Sequence, residues 1–167
     1  MIPYQRMSQI KKFCMEYAQN FSADTQKRIG HHVTASPSLL FLGNTGLGKT
    51  HLSLAIAGEV INKGYGVIYG SAQNLLARLE KEKFSYSNQE EEQSYLSLVL
   101  ECDLLILDDL GTEFLSQFVT SMIYNIINTR LLEGRPTIIS DQSFLPGYQQ
   151  AIYGPTGIQT VWRLYTV

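Results

Sequence analysis

One segment constrains the fold more than any other part of the chain: Gly43-Asn44-Thr45-Gly46-Leu47-Gly48-Lys49-Thr50. It matches the pattern G-x-x-x-x-G-K-[ST] in full, in which glycines let successive backbone N–H groups turn toward phosphate oxygens. The lysine of this pattern reaches the β- and γ-phosphates of a nucleotide, and the hydroxyl that follows it binds Mg²⁺. We therefore predict that residues 43–50 and the adjacent His51 bind ATP, with Thr50 also serving as a metal ligand.

The sequence on either side of this segment supplies the setting that a phosphate loop requires. Ser38–Leu42 is a short apolar run that fits a strand buried on both faces, and residues 51–63 fit a helix that ends before Gly64. The positive end of such a helix points at the bound phosphates. A glycine turn without a ligand is the alternative, and the order of strand, loop and helix argues against it.

A second motif lies about 60 residues further on. The apolar run Leu104–Leu107 ends in two carboxylates, Asp108 and Asp109. Adjacent acids at the end of a buried strand are costly unless a cation or protons neutralise them, and nucleotide-bound Mg²⁺ is a natural cation. We predict that Asp108 holds the metal, directly or through water, and that Asp109 is the general base or orients the attacking water. The alternative is an aspartate that caps the following helix.

A third polar position follows the strand at residues 137–140. In phosphate-loop sheets with an inserted strand, this strand lies between the loop strand and the acid strand. A polar side chain at its tip can then contact the γ-phosphate or the attacking water. Gln142 has the amide that such a sensor needs, although a simple turn after Ser140 and Asp141 explains the sequence equally well.

Strand and helix patterns alternate along the whole chain, which predicts an α/β fold with a parallel sheet and helices on both faces. The first amphipathic helix is expected over residues 5–21, followed by a connector over 22–37. We predict further strands at 66–70, 103–107 and 137–140, and further helices at 74–84, 95–100 and from 114 to about 134. Prolines and glycines break the pattern after Phe144, although Tyr165–Val167 could begin another strand, so we expect a truncated or incomplete C-terminal part.

Composition excludes several classes of protein. The 167 residues suit one domain, and a net charge of −2 gives no global attraction to nucleic acid, so any DNA contact needs a local basic patch. Cys14 and Cys102 have no paired spacing that would indicate disulfides or a zinc site. No run of eighteen apolar residues and no signal-peptide pattern is present, so we expect no membrane partner and a cytoplasmic location.

Three segments together resemble the bacterial helicase loaders of the DnaC/DnaI type: residues 43–57 (GNTGLGKTHLSLAIA), 104–113 (LLILDDLGTE) and 121–140 (SMIYNIINTRLLEGRPTIIS). These loaders are AAA+ ATPases and share a domain with the IstB transposition helpers. The resemblance implies a P-loop NTPase three-layer sandwich with a parallel sheet of order 5-1-4-3-2. It also implies two parts, an N-terminal helix and connector over residues 1–36 and an AAA+ ATP-binding core over residues 37–167.

The resemblance also implies roles for individual residues. Lys49 and Thr50 correspond to the Walker A motif, and Asp108 and Asp109 to the Walker B motif. The family's sensor segment usually reads Ser-Thr-Asn, whereas residues 140–142 read Ser-Asp-Gln. A Ser-Arg-Leu segment carries an arginine that reaches a neighbour's ATP, and Trp162-Arg163-Leu164 is the nearest match, which makes Arg163 the candidate arginine finger.

The function implied by the resemblance is an ATPase, weak by itself, that uses ATP and Mg²⁺ to load or remodel a replicative helicase on single-stranded DNA. Self-association through AAA+ interfaces and direct contact with single-stranded DNA are further expectations. An IstB-like transposition helper with the same ATPase core is one alternative. The altered sensor leaves another alternative open, a non-hydrolysing interaction module gated by nucleotide.

Overall fold

Helices and strands alternate along the chain in the predicted order. The computed structural model describes residues 3–24, 28–29, 32–33, 36–84, 94–110, 117–141 and 162–166. The helices are α1 (Pro3–Gln19), α2 (Lys49–Asn62), α3 (Ala72–Phe84), α4 (Tyr95–Glu101) and α5 (Gln117–Leu132). The strands are β1 (Arg28–Ile29), β2 (His32–Val33), β3 (Ser38–Leu42), β4 (Val67–Ser71), β5 (Leu104–Leu110), β6 (Thr137–Asp141) and β7 (Trp162–Thr166). The predicted elements are confirmed with small shifts at their ends.

Five parallel strands form the central sheet, in the order β4-β5-β6-β3-β7. If these five strands are numbered 1 to 5 along the chain and the sheet is read from β7 to β4, the order is 5-1-4-3-2, as the family resemblance implies. β6 lies between β3 and β5, so the strand that precedes the phosphate loop and the strand that carries the two acids are separated by one strand. The fifth strand, Trp162–Thr166, begins earlier than the pattern at Tyr165 indicated.

The connector after α1 contains a feature that the sequence did not reveal. Arg28–Ile29 pairs with His32–Val33 in a short antiparallel sheet of its own. Two residues are too few to show the alternation of apolar and polar side chains that identifies a strand. The expected helix start at residue 114 lies outside the described residues, and α5 is described from Gln117.

Two apolar layers cover the two faces of the sheet. On one face, α3, α4 and α5 pack on side chains that include Leu105, Leu107 and Ile139. On the other face, α1 and α2 pack on side chains that include Phe41 and Ile106. The strands are therefore buried on both sides, which explains the apolar runs Leu39–Leu42 in β3 and Leu104–Leu107 in β5. None of the helices in the described part of the chain is long and apolar enough to cross a membrane.

A buried arginine joins α5 to the end of α4. Arg130 is fully buried. Its guanidinium donates mostly to backbone carbonyls at the end of α4 and at the start of β6. The acceptors are Val99 O (3.0 Å), Leu100 O (2.9 Å), Cys102 O (2.9 Å), Cys102 Sγ (3.4 Å), Pro136 O (2.7 Å) and Thr137 Oγ1 (3.0 Å). Burial lowers the pKa of Arg130 from its ordinary value. These bonds keep α4 in place beside the strand that carries the two acids.

We expect Arg130→Met to lower the free energy of unfolding by about 3–5 kcal/mol, because buried acceptors then lose a charged donor. Urea denaturation of the variant and of the unmodified protein measures this difference. Arg78→Met is the matched control, since Arg78 is exposed and its guanidinium lies 3.9 Å from the ring centre of Tyr95. The control is expected to cost about 1 kcal/mol or less. Equal losses in the two variants would contradict the role of Arg130.

Candidate functional site

The predicted phosphate loop lies at the carboxyl end of β3 and leads directly into α2. Gly46 and Gly48 have φ angles of 82° and 87°, in the left-handed region that favours glycine. A Cβ atom at either position would meet nothing within 4 Å, so the backbone angle, and not crowding, requires glycine there. Residues 44–48 are exposed, and the loop begins with a bond from Gly43 N–H to Asp141 O at 3.3 Å.

The Lys49 ammonium group lies at the centre of this loop. Lys49 is 5% exposed, and its Nζ donates to Gly43 O at 2.6 Å and to Asn44 O at 2.9 Å. The cation is therefore held by two loop carbonyls at the first residue of α2. A buried ammonium held only by neutral acceptors has a strong attraction for an anion that enters the loop.

The second motif meets the first at Asp108. This carboxylate is 4% exposed and accepts three hydroxyl groups from different elements. Thr50 Oγ1 donates to Oδ2 at 2.8 Å, Tyr69 Oη donates to Oδ2 at 2.9 Å, and Ser140 Oγ donates to Oδ1. Because Thr50 is the last residue of the loop motif, the two predicted halves of the site are in direct contact.

The Asp109 backbone departs from regular strand geometry. Its φ is 52°, and the pairing of β5 with β6 jumps from Leu107 opposite Ile139 to Leu110 opposite Asp141. Two residues of β5 therefore face one residue of β6, which is a β-bulge. The bulge is supported by a bond from Asp109 N–H to Ser140 Oγ at 3.0 Å. An uncommon backbone angle at an acidic residue beside a phosphate loop is typical of a functional site.

Two predicted catalytic residues, Gln142 and Arg163, are not brought to the loop by the described part of the structure. Gln142 lies outside the described residues. Arg163 lies in β7, where its backbone pairs with Leu39, while the phosphate loop follows the opposite end of β3. Both roles stay predictions.

Sequence reasoning missed two hydroxyl donors to Asp108. The sequence puts Ser140 in the predicted sensor segment, but its bond to Asp108 can be predicted only when the strand order is known. Tyr69 lies in the middle of β4 and matches no motif. Partial burial of the phenol, its hydrogen bond to Asp108 and the nearby negative charges raise the pKa of Tyr69 to about 12. The phenol therefore remains a hydrogen-bond donor at neutral pH.

The donor set at Asp108 fits a magnesium ion. Mg²⁺ usually binds one or two carboxylates, a hydroxyl, water and substrate phosphates in place of an all-protein cage. Thr50 and Asp108 provide the hydroxyl and the carboxylate at 2.8 Å from each other. Among the residues that the structure describes, no three His, Cys, Asp or Glu side chains gather as a metal cluster. The site therefore suits a cation that arrives with nucleotide.

An apolar groove adjoins the phosphate loop. It is a cavity of about 390 Å³ between α1 and the first three turns of α2. The wall on α1 includes Met7, Cys14 and Met15, and the wall on the loop side includes Leu47 and His51. Burial raises the pKa of the Cys14 thiol to about 11, so this thiol stays uncharged at neutral pH.

We expect the free energy of unfolding to fall as the pH rises from about 9 to about 11. The unfolded Cys14 thiol loses its proton from its ordinary pKa of 9.0, whereas the folded thiol holds it to about 11, so proton release favours unfolding by up to about 3 kcal/mol. Urea denaturation between about pH 8 and pH 11 measures the slope.

Cys14→Ala should show a shallower loss across this range, while Tyr17, whose pKa is also raised by burial, maintains part of the slope. Met15→Ala is the control, because it trims the neighbouring residue without removing a titratable group. An unchanged slope in Cys14→Ala would contradict the prediction.

These features define a class of protein. A phosphate loop after the first strand of a parallel sheet of order 5-1-4-3-2, with paired acids on the third strand, is a P-loop nucleotide-binding domain of the AAA+ class. The family model of IstB-like ATP binding proteins matches residues 5–159, and the chain belongs to this family.

Individual relatives agree with this assignment. The chain is 32% identical over 100 residues to the replicative helicase loader DnaC of Escherichia coli (strain K12), which covers 60% of this chain and 40% of that protein. It is 29% identical over 112 residues to an insertion sequence IS21 putative ATP-binding protein of Pseudomonas aeruginosa, covering 67% and 41%. The crystal structure of the DnaC helicase loader matches with a TM-score of 0.68 and 25% identity, covering 93% of this chain and 86% of that chain. The chain thus spans about 40% of the length of these two relatives.

Proposed function

We propose that the chain binds ATP with Mg²⁺, hydrolyses it, and uses this cycle to load or remodel a replicative helicase on single-stranded DNA. One observation carries the nucleotide part: Thr50 donates to Asp108 at 2.8 Å, next to the buried ammonium of Lys49. Both motifs then lie within reach of one triphosphate. The helicase part is supported by the relatedness to a replicative helicase loader over 60% of this chain.

The loop residues would bind the phosphates. The N–H groups of residues 44–48 and the start of α2 attract anionic oxygens. Lys49 would exchange the carbonyls of Gly43 and Asn44 for β- and γ-phosphate oxygens, which are stronger acceptors because they are charged. Thr50 and Asp108 would hold Mg²⁺, which when bound neutralises charge on the phosphates.

Asp109 would act on the attacking water. Its backbone bulge turns the residue away from regular strand geometry, and Ser140 anchors the bulge through the Asp109 N–H group. A carboxylate beside the γ-phosphate can accept a proton from water or orient it. Gln142 would contact the γ-phosphate or the same water, and Arg163 of a neighbouring copy would stabilise the charge that develops on transfer.

The apolar groove would take the nucleobase. It borders Leu47, Gly48 and His51, so a nucleotide whose phosphates lie in the loop has its base within reach of this cavity. Its walls are mostly apolar, as is usual for sites that bind flat aromatic groups. This gives α1 a binding role in addition to its packing role.

The IstB-like transposition helper is the second candidate. The family model and the relative from Pseudomonas aeruginosa support it. Both candidates share the same ATP site, and they differ in the partner that should stimulate ATP turnover: a replicative helicase with single-stranded DNA, or a transposase with duplex DNA. Stimulation by the second pair alone would replace the helicase proposal.

We expect Lys49→Ala to weaken ATP binding at least a hundredfold, because charge-assisted contacts of about 1.5–3 kcal/mol each are lost. Titration calorimetry with Mg²⁺ present measures the affinity, and Lys12→Ala on the exposed face of α1 is the control. In the same experiment, Asp109→Asn should bind ATP but lose turnover. Wild-type turnover in Asp109→Asn would contradict its role, and ATP binding without turnover in the unmodified chain would favour the non-hydrolysing module.

We expect Ala55→Trp to weaken ATP binding at least tenfold while inorganic triphosphate binds as before. Ala55 is an exposed residue of α2 that lines the groove, so the indole fills the cavity without disturbing the core. Leu54→Trp introduces the same side chain at the next position, which is exposed and does not line the groove. Competition of each nucleotide against a fluorescent ATP analogue gives the affinities. Equal affinities in the two variants would place the base elsewhere.

A further inference from the structure

The hydrogen bonds of Asp108 leave little room for a new partner on one of its oxygens. An ionised carboxylate has about four lone-pair sites, two on each oxygen. Thr50 and Tyr69 both donate to Oδ2, at 2.8 and 2.9 Å, while Ser140 donates to Oδ1. Both sites of Oδ2 therefore carry a hydrogen bond.

The hydroxyls of Thr50 and Tyr69 differ in what they can do when a metal binds. Thr50 can bind a cation through an oxygen lone pair while its hydrogen still points to Asp108. Tyr69 comes from β4, the strand at the edge of the sheet, and is not part of the loop. A water molecule bound to the cation needs an acceptor on Asp108, and the Tyr69 hydroxyl occupies one of the acceptor sites on Oδ2.

Tyr69 is far more exposed to solvent than Ser140, which also donates to Asp108. Its side chain is 41% exposed, whereas Ser140 is fully buried and Asp108 is 4% exposed. A change in the χ1 angle of Tyr69 would move its Oη away from Oδ2 and toward solvent, which already reaches this side chain. Displacement of Ser140 would leave both its own hydroxyl and the Asp109 N–H group without their bonds.

We propose that Tyr69 is a positioning residue that competes with metal-bound water for Oδ2 of Asp108. This inference rests on the proposed binding of Mg²⁺ and nucleotide. In the metal-free protein the phenol adds a third hydroxyl donor to the buried carboxylate, beside those of Thr50 and Ser140. Binding of the metal displaces the phenol, so the protein requires more Mg²⁺ than it would without this bond.

The test compares Tyr69→Phe with Tyr124→Phe, a control that removes a hydroxyl from an exposed tyrosine of α5. Binding of a fluorescent ADP analogue is measured in chelator and at rising Mg²⁺. In Tyr69→Phe we expect the half-saturating Mg²⁺ concentration to fall about tenfold, equivalent to about 1.4 kcal/mol, while binding without metal is unchanged. Tyr124→Phe should match the unmodified protein in both measurements.

Thermal unfolding gives a second measurement that does not depend on turnover. The metal-free Tyr69→Phe protein should unfold about 2–4 °C below the unmodified protein, because its buried carboxylate has lost a donor. With ADP and saturating Mg²⁺ the difference should disappear, since the bond is then absent from both proteins.

An unchanged or higher Mg²⁺ requirement in Tyr69→Phe would overturn the competition and leave the proposed ATP site intact. If the unmodified protein binds no nucleotide at any Mg²⁺ concentration, the proposed function fails together with this inference. The two failures are therefore distinguished by the behaviour of the unmodified protein alone.

Discussion

The site depends on one buried carboxylate that is shared among three parts of the fold. Asp108 accepts hydroxyls from α2, β4 and β6 through Thr50, Tyr69 and Ser140. A buried charge without partners would cost several kcal/mol, and these bonds offset that cost. They also connect the end of the phosphate loop, the edge of the sheet and the bulge at Asp109, so the geometry of all three is coupled.

The strand order explains why these groups meet. The insertion of β6 between β3 and β5 puts the carboxyl ends of three strands side by side. The phosphate loop leaves β3, the acids end β5, and Ser140 supplies the hydroxyl between them. Parallel α/β sheets commonly bind ligands at the carboxyl ends of their strands, because loops and the starts of helices lie there. In this chain α2 begins at Lys49, which adds a cation and a favourable helix dipole at the same ends of the strands.

Much of the fold and the centre of the site could be predicted from the sequence, because local signals were strong. The loop pattern needs specific residues at fixed spacing, and strands buried on both faces produce apolar runs such as Leu104–Leu107. The contact between Tyr69 and Asp108 could not be predicted, since the two residues are 39 positions apart and come together only through strand pairing. The backbone angle of Asp109 arises from the register shift between two strands, and no pattern along one strand specifies it.

The way in which Arg130 is held has a consequence for how this sequence can change over time. Four of its acceptors are backbone carbonyls, at residues 99, 100, 102 and 136. A carbonyl is present whatever side chain a residue carries, so substitutions at those positions leave the acceptors in place. The arginine itself has no such substitute, because no other side chain offers five donors in a planar fork. Related sequences should therefore vary in side chain at residues 99, 100, 102 and 136, and should keep arginine at position 130.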